Sequence, residues 1–286
     1  MCNPDVLLLG AGYTLQRVAR ELGSERVLLT HTSSRGVERS VSQGFKALKV
    51  DLRYQEDVDV LIRSLDGIRY IVDSVPPTDP DPVAGIQRFI QRALDLESKL
   101  KETLTGVIYL SSTGVYGRQN GEVVSEESVL RPYDDRGRAR VLCEQAWQNS
   151  GFPAVVLRLS AIYGDDRGLI QVMKEGDYRL VRGRWSNRVH VDDIVGVITS
   201  ILNADFATVP KVISVSDDEP ALIEDVVQYY CEKLNIPMPL EVSLSEGYSG
   251  FARSNQKVDN TKLKTFLGRP LKYPTYRSVI EKFDTF

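Results

Sequence analysis

Short apolar runs alternate with amphipathic stretches along the first half of the chain. The runs Val6–Leu9, Val27–Leu29, Ala47–Val50, Tyr70–Val72, Val107–Leu110 and Ala154–Leu157 are rich in Val, Leu and Ile and bounded by Gly, Ser or Asp, the pattern of strands buried on both faces. Between them Leu15–Leu22, Glu56–Ser64, Ile86–Leu96 and Arg138–Gln148 carry helical spacing. Strand and helix alternating at this interval predict an α/β fold, a doubly wound parallel sheet with right-handed crossovers and helices on both faces. After about residue 160 the pattern loosens. Charged and Gly-rich connections at Asp165–Gly168 and Gly176–Ser186 precede a strand-helix pair at Asn187–Leu202, a run at Lys211–Val215, a helix at Leu222–Leu234 and a polar loop at Ser243–Gln256. Residues 1–160 read as the core, and 161–286 as the remaining core strands with a smaller lobe on the substrate side.

The first run leads directly into Gly10-Ala11-Gly12-Tyr13-Thr14-Leu15, which opens the first helix. In that context Gly10 permits a tight turn, Gly12 lets backbone approach a pyrophosphate, and the helix start offers N–H groups and the positive end of its dipole to phosphate. This identifies a Rossmann-type dinucleotide site; the plain alternative is a strand-to-helix turn. Leu15 stands where the full fingerprint has glycine, so the first helix is expected to sit differently. The second strand runs into Thr30-His31-Thr32-Ser33-Ser34-Arg35 without the Asp or Glu that hydrogen-bonds the adenosine ribose of NAD. Small hydroxyls at Thr32, Ser33 and Ser34 followed by Arg35 suit a 2′-phosphate, so NADP is expected in preference to NAD. Otherwise Arg35 is a solvated loop charge. Asp51-Leu52 after the third strand places a carboxylate for the adenine amino group or, more plainly, a helix cap.

Composition narrows the partners. Acidic and basic residues number 39 and 36 and are spread along the chain, which gives no basic face for nucleic acid. Three cysteines without CxxC spacing and two histidines argue against a disulfide framework or a metal centre. No apolar run approaches the roughly 20 residues that span a bilayer. The opening residues lack the pattern of a signal peptide, so a cytoplasmic location is expected.

Four motifs together resemble the extended and atypical short-chain dehydrogenase/reductase superfamily, in its NAD(P)-dependent epimerase/dehydratase group. They are the early GxGY turn, Ser111-Ser112-Thr113-Gly114-Val115-Tyr116-Gly117, Arg158-Leu159-Ser160-Ala161-Ile162-Tyr163-Gly164, and Asn187-Arg188-Val189-His190-Val191-Asp192-Asp193. The segments Lys257–Asn260 and Lys272–Arg277 further resemble a bacterial atypical subgroup, the YeeZ-like proteins. The resemblance implies a Ser or Thr that polarises the substrate oxygen, a Tyr that moves the proton, and a Lys four residues later that holds the nicotinamide ribose. Aligned on Val-Tyr-Gly, the Ser falls on Ser112, with Thr113 adjacent, while the match of Arg138–Gln145 to the family's segment ending in Glu-Gln puts the Tyr and Lys positions on Arg136 and Arg140. A guanidinium cannot exchange protons near neutrality, but Arg140 can still bind ribose hydroxyls. Tyr116, four residues beyond Ser112, becomes the expected proton donor; Tyr133 and Tyr163 are alternatives. Asp192 and Asp193 are expected to cap a helix, and His190 to support the cofactor side. Two functions follow as expectations. One is an NADP-dependent oxidoreductase, epimerase or dehydratase acting on a small polar or sugar-like substrate. The other is a non-catalytic NADP-binding sensor or assembly factor. Superfamily relatives commonly dimerise through core helices, so a homodimer is also expected.

Overall fold

The computed structural model describes residues 4–77, 81, 83–95, 99–118, 120–164, 166–243 and 254–281. The apolar runs become strands β1 (Val6–Leu9), β2 (Val27–His31), β3 (Lys46–Lys49), β4 (Tyr70–Asp73) and β5 (Gly106–Ser112), joined in one sheet by Ala154–Leu159 and Val212–Val215. From one edge to the other the order is Val212–Val215, Ala154–Leu159, β5, β4, β1, β2, β3. β1 pairs in parallel with both β2 and β4, β2 with β3, and β4 with β5. The order reverses between β1 and β4, and that switch point is where open α/β sheets bind ligands. At the edge, β3 carries exposed Lys46 and Lys49, charges that discourage pairing with another chain.

Four helices return the chain between these strands: α1 (Tyr13–Leu22), α2 (Ser34–Ser42), α3 (Gln55–Arg63) and α4 (Ala84–Leu94). Leu7, Leu9, Ile71, Val107 and Val156 from the sheet pack with Val58, Leu61, Phe89 and Trp147 from the helices in one buried cluster. Helix α2 departs from the sequence reading, which left residues 31–35 as a strand end and placed no helix there. Its sequence, SRGVERSVS, mixes Gly, Ser and Val, and buries Ser40 rather than an apolar stripe. Local propensity therefore gives little signal, and the Ser33 cap with packing against His31 holds the helix.

The chain divides into two compact units. The first comprises Met1–Ser111, Ala139–Leu157 and Val195–Val212; the second comprises Ser112–Arg138, Arg158–Ile194 and Ile213–Phe286. Where the sequence suggests one boundary near residue 160, the units are thus interleaved along the chain. The second unit has its own core of Tyr163, Leu180, Val226, Tyr230, Tyr273 and Tyr276. Its short strands pair as Ala161–Tyr163 with Arg188–His190 and Glu122–Val124 with Gln256–Val258. Of the polar loop read at Ser243–Gln256, residues 244–253 lie outside the described residues, as does Cys2. Among the described residues no helix is long and apolar enough to cross a membrane, and no cluster of His, Cys, Asp or Glu forms a metal site.

Candidate cofactor and active site

In the first unit the C-terminal ends of β1 to β4 open onto a cleft of about 450 Å³. Gly10, Gly12, Thr32, Asp51 and Leu52 line it, together with His31, Arg53, Val75 and Ile86. The loop after β1 is pinned from β2: Gly10 N donates to Thr30 Oγ1 at 2.9 Å and Ala11 N to Thr30 O at 2.8 Å. Gly10 sits at φ +78°, where an added Cβ would also meet Val75 at 3.1 Å, so glycine is required there. Gly12 differs. A Cβ built on it has its nearest neighbour, Gly10 O, at 4.0 Å, so the space beside it is open.

Gly12 is also the N-cap of α1, which has no side-chain cap and no acidic residue in its first turn. Helix N–H groups and dipole therefore face the loop without a competing carboxylate. Leu15 is fully buried, so the third position of the fingerprint is filled by a packed side chain. Tyr13 does not line the cleft; its ring lies 4.0 Å beneath the Arg17 guanidinium.

At the end of β2 the expected 2′-phosphate cluster is partly separated. Thr32 lines the cleft, but Ser33 Oγ accepts from Gly36 N at 3.2 Å as the cap of α2. Ser34 and Arg35 follow on the exposed first turn of that helix and are not among the lining residues. Burial lowers the pKa of His31, whose Nε2 lies 2.8 Å from Ser40 Oγ. At the end of β3, Asp51 is gripped by Arg53, with Nε 3.0 Å from each carboxylate oxygen and Nη2 2.5 Å from Oδ2. This grip pulls the Asp51 pKa down, so the carboxylate stays charged. Arg88 of α4 donates to Leu52 O at 2.6 Å and fixes that loop. The sequence reading missed Arg53, although it directly follows Asp51-Leu52.

Asp73 was missed as well. It ends β4 wholly buried, accepting from Trp147 Nε1 at 2.7 Å and from Val75 N at 2.8 Å. Burial raises its pKa to about 6 despite those donors and the nearby Arg140 charge. The signal was an Asp directly after an apolar run. Arg140, at the usual Lys position, donates from Nη1 to Leu110 O at 2.7 Å, which ties its helix to the end of β5.

In the second unit Ser112 Oγ accepts from Gly114 N at 3.1 Å and caps a short 3-10 turn, a bond that leaves its hydroxyl proton to donate elsewhere. Arg136 is exposed. Tyr116 was expected to serve as proton donor, and the structure places it in the interior of the second unit. It is fully buried, its hydroxyl 2.7 Å from Ser214 Oγ and receiving Arg158 Nη1 at 3.2 Å. Burial raises its pKa, with Ser214 and Arg158 pulling the other way. The Tyr116 hydroxyl is thus enclosed and engaged by two interior partners, Ser214 and Arg158. Tyr163 is likewise buried, and burial pushes its pKa far up. Asp193 lies in the first turn of the helix Val191–Asn203, and its carboxylate accepts from Lys272 N at 2.6 Å and Tyr273 N at 2.9 Å. His190 stacks on Tyr273 with centroids 3.5 Å apart.

A nucleotide-sized cleft at the switch point, a glycine turn and an uncapped helix start define a dinucleotide-binding α/β protein. The model of the NAD dependent epimerase/dehydratase family matches residues 6–216, and the chain belongs to that family. It is 27% identical over 210 residues to Protein YeeZ of Escherichia coli (strain K12), covering 70% of this chain and 73% of that protein. The solved structure of a functionally unknown conserved protein from Silicibacter pomeroyi is 30% identical, with a TM-score of 0.80 and 98% of both chains covered. UDP-glucuronic acid 4-epimerase from Bacillus cereus, solved in complex with NAD, is 18% identical with a TM-score of 0.73, covering 97% of this chain and 99% of that one. At that identity the likeness is one of fold.

Proposed function

We propose that this chain binds NADP in the cleft of its first unit and uses it in oxidoreductase, epimerase or dehydratase chemistry on a small polar or sugar-like substrate. The observation that carries the reading is the cleft itself. It has open space beside Gly12, and among the described residues its only lining carboxylate is Asp51, paired with Arg53, with none at the end of β2. Gly10, Gly12 and the start of α1 would hold the pyrophosphate. Leu52, Val50 and Ile86 offer apolar walls to adenine, and Asp51 an acceptor for its amino group. Thr32, at the end of β2, would meet the adenosine ribose and its 2′-phosphate. When bound, the cofactor supplies hydride transfer at its nicotinamide. Ser112 would orient the reacting substrate oxygen, and Arg140 would present positive charge to the nicotinamide ribose. A UDP-sugar is the first substrate class to try, because the Bacillus cereus neighbour acts on UDP-glucuronic acid.

A second reading, a non-catalytic NADP-binding protein, is favoured by the enclosed Tyr116 hydroxyl and by arginine at positions 136 and 140. Calorimetric titration with NADP and NAD tests the cofactor, and NADP is expected to bind more tightly. Gly12→Val is expected to abolish binding of both while circular dichroism stays unchanged, because the branched side chain would fill the open space. Normal binding by a folded Gly12→Val variant would show that the loop is only a turn. A screen of nucleotide sugars and carbonyl compounds with NADP and NADPH then separates the two readings. Tight NADP binding with no turnover selects the second.

A further inference from the structure

Two charged side chains with opposite signs line the cleft, Asp51 and Arg53. Backbone pairing sets them beside the end of β2: Val50 N donates to His31 O at 2.8 Å, so Thr32 and Asp51 leave the sheet side by side. Arg53 then folds back on its neighbour. Its backbone N–H reaches Asp51 Oδ1 at 3.0 Å, while Nε and Nη2 grip the carboxylate edge. That grip commits Nε and one side of Nη2, and among the described residues Nη1 makes no hydrogen bond. The Arg53 side chain is 58% exposed and that of Asp51 14%, so the carboxylate lies beneath and the guanidinium faces outward.

The chemistry of this pair favours an anion. A bare Asp51 would repel a second negative group at the end of β2. Paired, its charge is offset, and a planar fork with several donors is held over the same spot. Arg35, the arginine that the sequence brings forward, starts an exposed helix and does not line the cleft. We infer that Arg53 is the residue that selects a 2′-phosphorylated adenosine, its guanidinium bridging Asp51 and the phosphate. The inference rests on the NADP reading above.

Calorimetry with NADP, NAD, 2′,5′-ADP and 5′-AMP tests it on the full chain, in wild type, Arg53→Ala, Arg53→Lys and Arg35→Ala. Arg53 is exposed and its pairing is local, so thermal unfolding of its variants is expected to match wild type. Arg53→Ala should weaken NADP and 2′,5′-ADP roughly ten-fold or more, the scale of one lost charge-assisted contact, and NAD and 5′-AMP by less than about three-fold. Arg53→Lys keeps the charge without the fork and should fall between. Equal losses for all four ligands would make Arg53 a support for adenine and overturn the inference. A phosphate preference that survives Arg53→Ala but vanishes in Arg35→Ala would also overturn it, and would leave the NADP reading intact. A wild type that binds NAD and 5′-AMP as tightly as their 2′-phosphorylated counterparts would overturn both.

Discussion

Tyr116 shows how a residue's motif can be legible in the sequence while its surroundings are not. Its place four residues after Ser112 was legible, but whether a strand-end tyrosine turns outward or inward depends on its neighbours, Ser214 and Arg158, which lie far along the chain. Arg158 is itself buried, so its contact with the phenol oxygen helps satisfy a charge held out of water. Tyr116→Phe removes that acceptor and the bond to Ser214. The expected outcome is a loss of about 1–3 kcal/mol in urea unfolding, the cost of leaving buried polar groups unpaired, with affinity for the dinucleotide unchanged. A variant as stable as wild type that no longer turns over a substrate would place Tyr116 in the chemistry rather than the scaffold. Thr32, Ser33, Ser34 and Arg35 teach the same lesson at β2: composition named the cluster, but the turn into α2 gave Ser33 to a helix cap and carried Arg35 away from the cleft lining.

Whole elements were easier to read than side-chain directions, because buried parallel strands announce themselves as continuous apolar runs whatever their partners. The readings Val6–Leu9 and Ala154–Leu157 lie within one or two residues of the observed strands. Helix α2 escaped because its identity comes from packing: a Cβ on Gly36 would stand 2.8 Å from the His31 ring, so glycine there lets the helix close on β2. Gly106, in the interior of the sheet at the start of β5, makes a related close approach. A Cβ at that position would collide with the ring of Phe206, which also lies 6.3 Å from the Tyr70 ring on neighbouring β4. Glycine is a poor strand residue, and its presence here is explained by the aromatic ring that covers it. Gly106→Ala should therefore destabilise the protein by about 1–3 kcal/mol, the usual cost of overpacking, although alanine is the better strand former of the two. Phe206→Leu in the same chain should restore part of the loss. A neutral or stabilising Gly106→Ala would mean that Phe206 moves aside freely.

At the scale of the molecule the chain crosses between its two units five times, at residues 111/112, 138/139, 157/158, 194/195 and 212/213, so neither unit is a continuous segment. Each unit is built from segments whose ends continue into the other, and a single cooperative transition is expected. Each unit also encloses a carboxyl whose pKa burial has raised, Asp73 to about 6 in the first and Asp217 to about 8 in the second. Above pH 4 the unfolded chain releases these protons while the native protein keeps them. The native state then binds more protons than the unfolded one, and stability falls as pH rises until each native pKa is passed. Carboxylates with lowered pKa, such as Asp51 and Glu127, act in the opposite sense, and only as pH falls toward and below their unfolded values. His31, with its pKa lowered by burial, also opposes the trend, but below about pH 6.5, where the unfolded imidazole takes up a proton. Between pH 6.5 and 8 Asp217 therefore carries the trend, with Asp193, also raised by burial, acting in the same sense. Wild type should lose stability across that interval at up to about 1.4 kcal/mol per pH unit, read from urea midpoints. Asp217→Asn keeps an uncharged side chain of the same shape, so it should flatten the slope between pH 6.5 and 8 and make the variant the more stable protein at the alkaline end. Asp73→Asn should leave that interval nearly unchanged and flatten the slope between about pH 4 and 6. Because the units share one interleaved chain, each substitution should move the single transition as a whole; a shift confined to one of two resolved transitions would show that the units unfold independently.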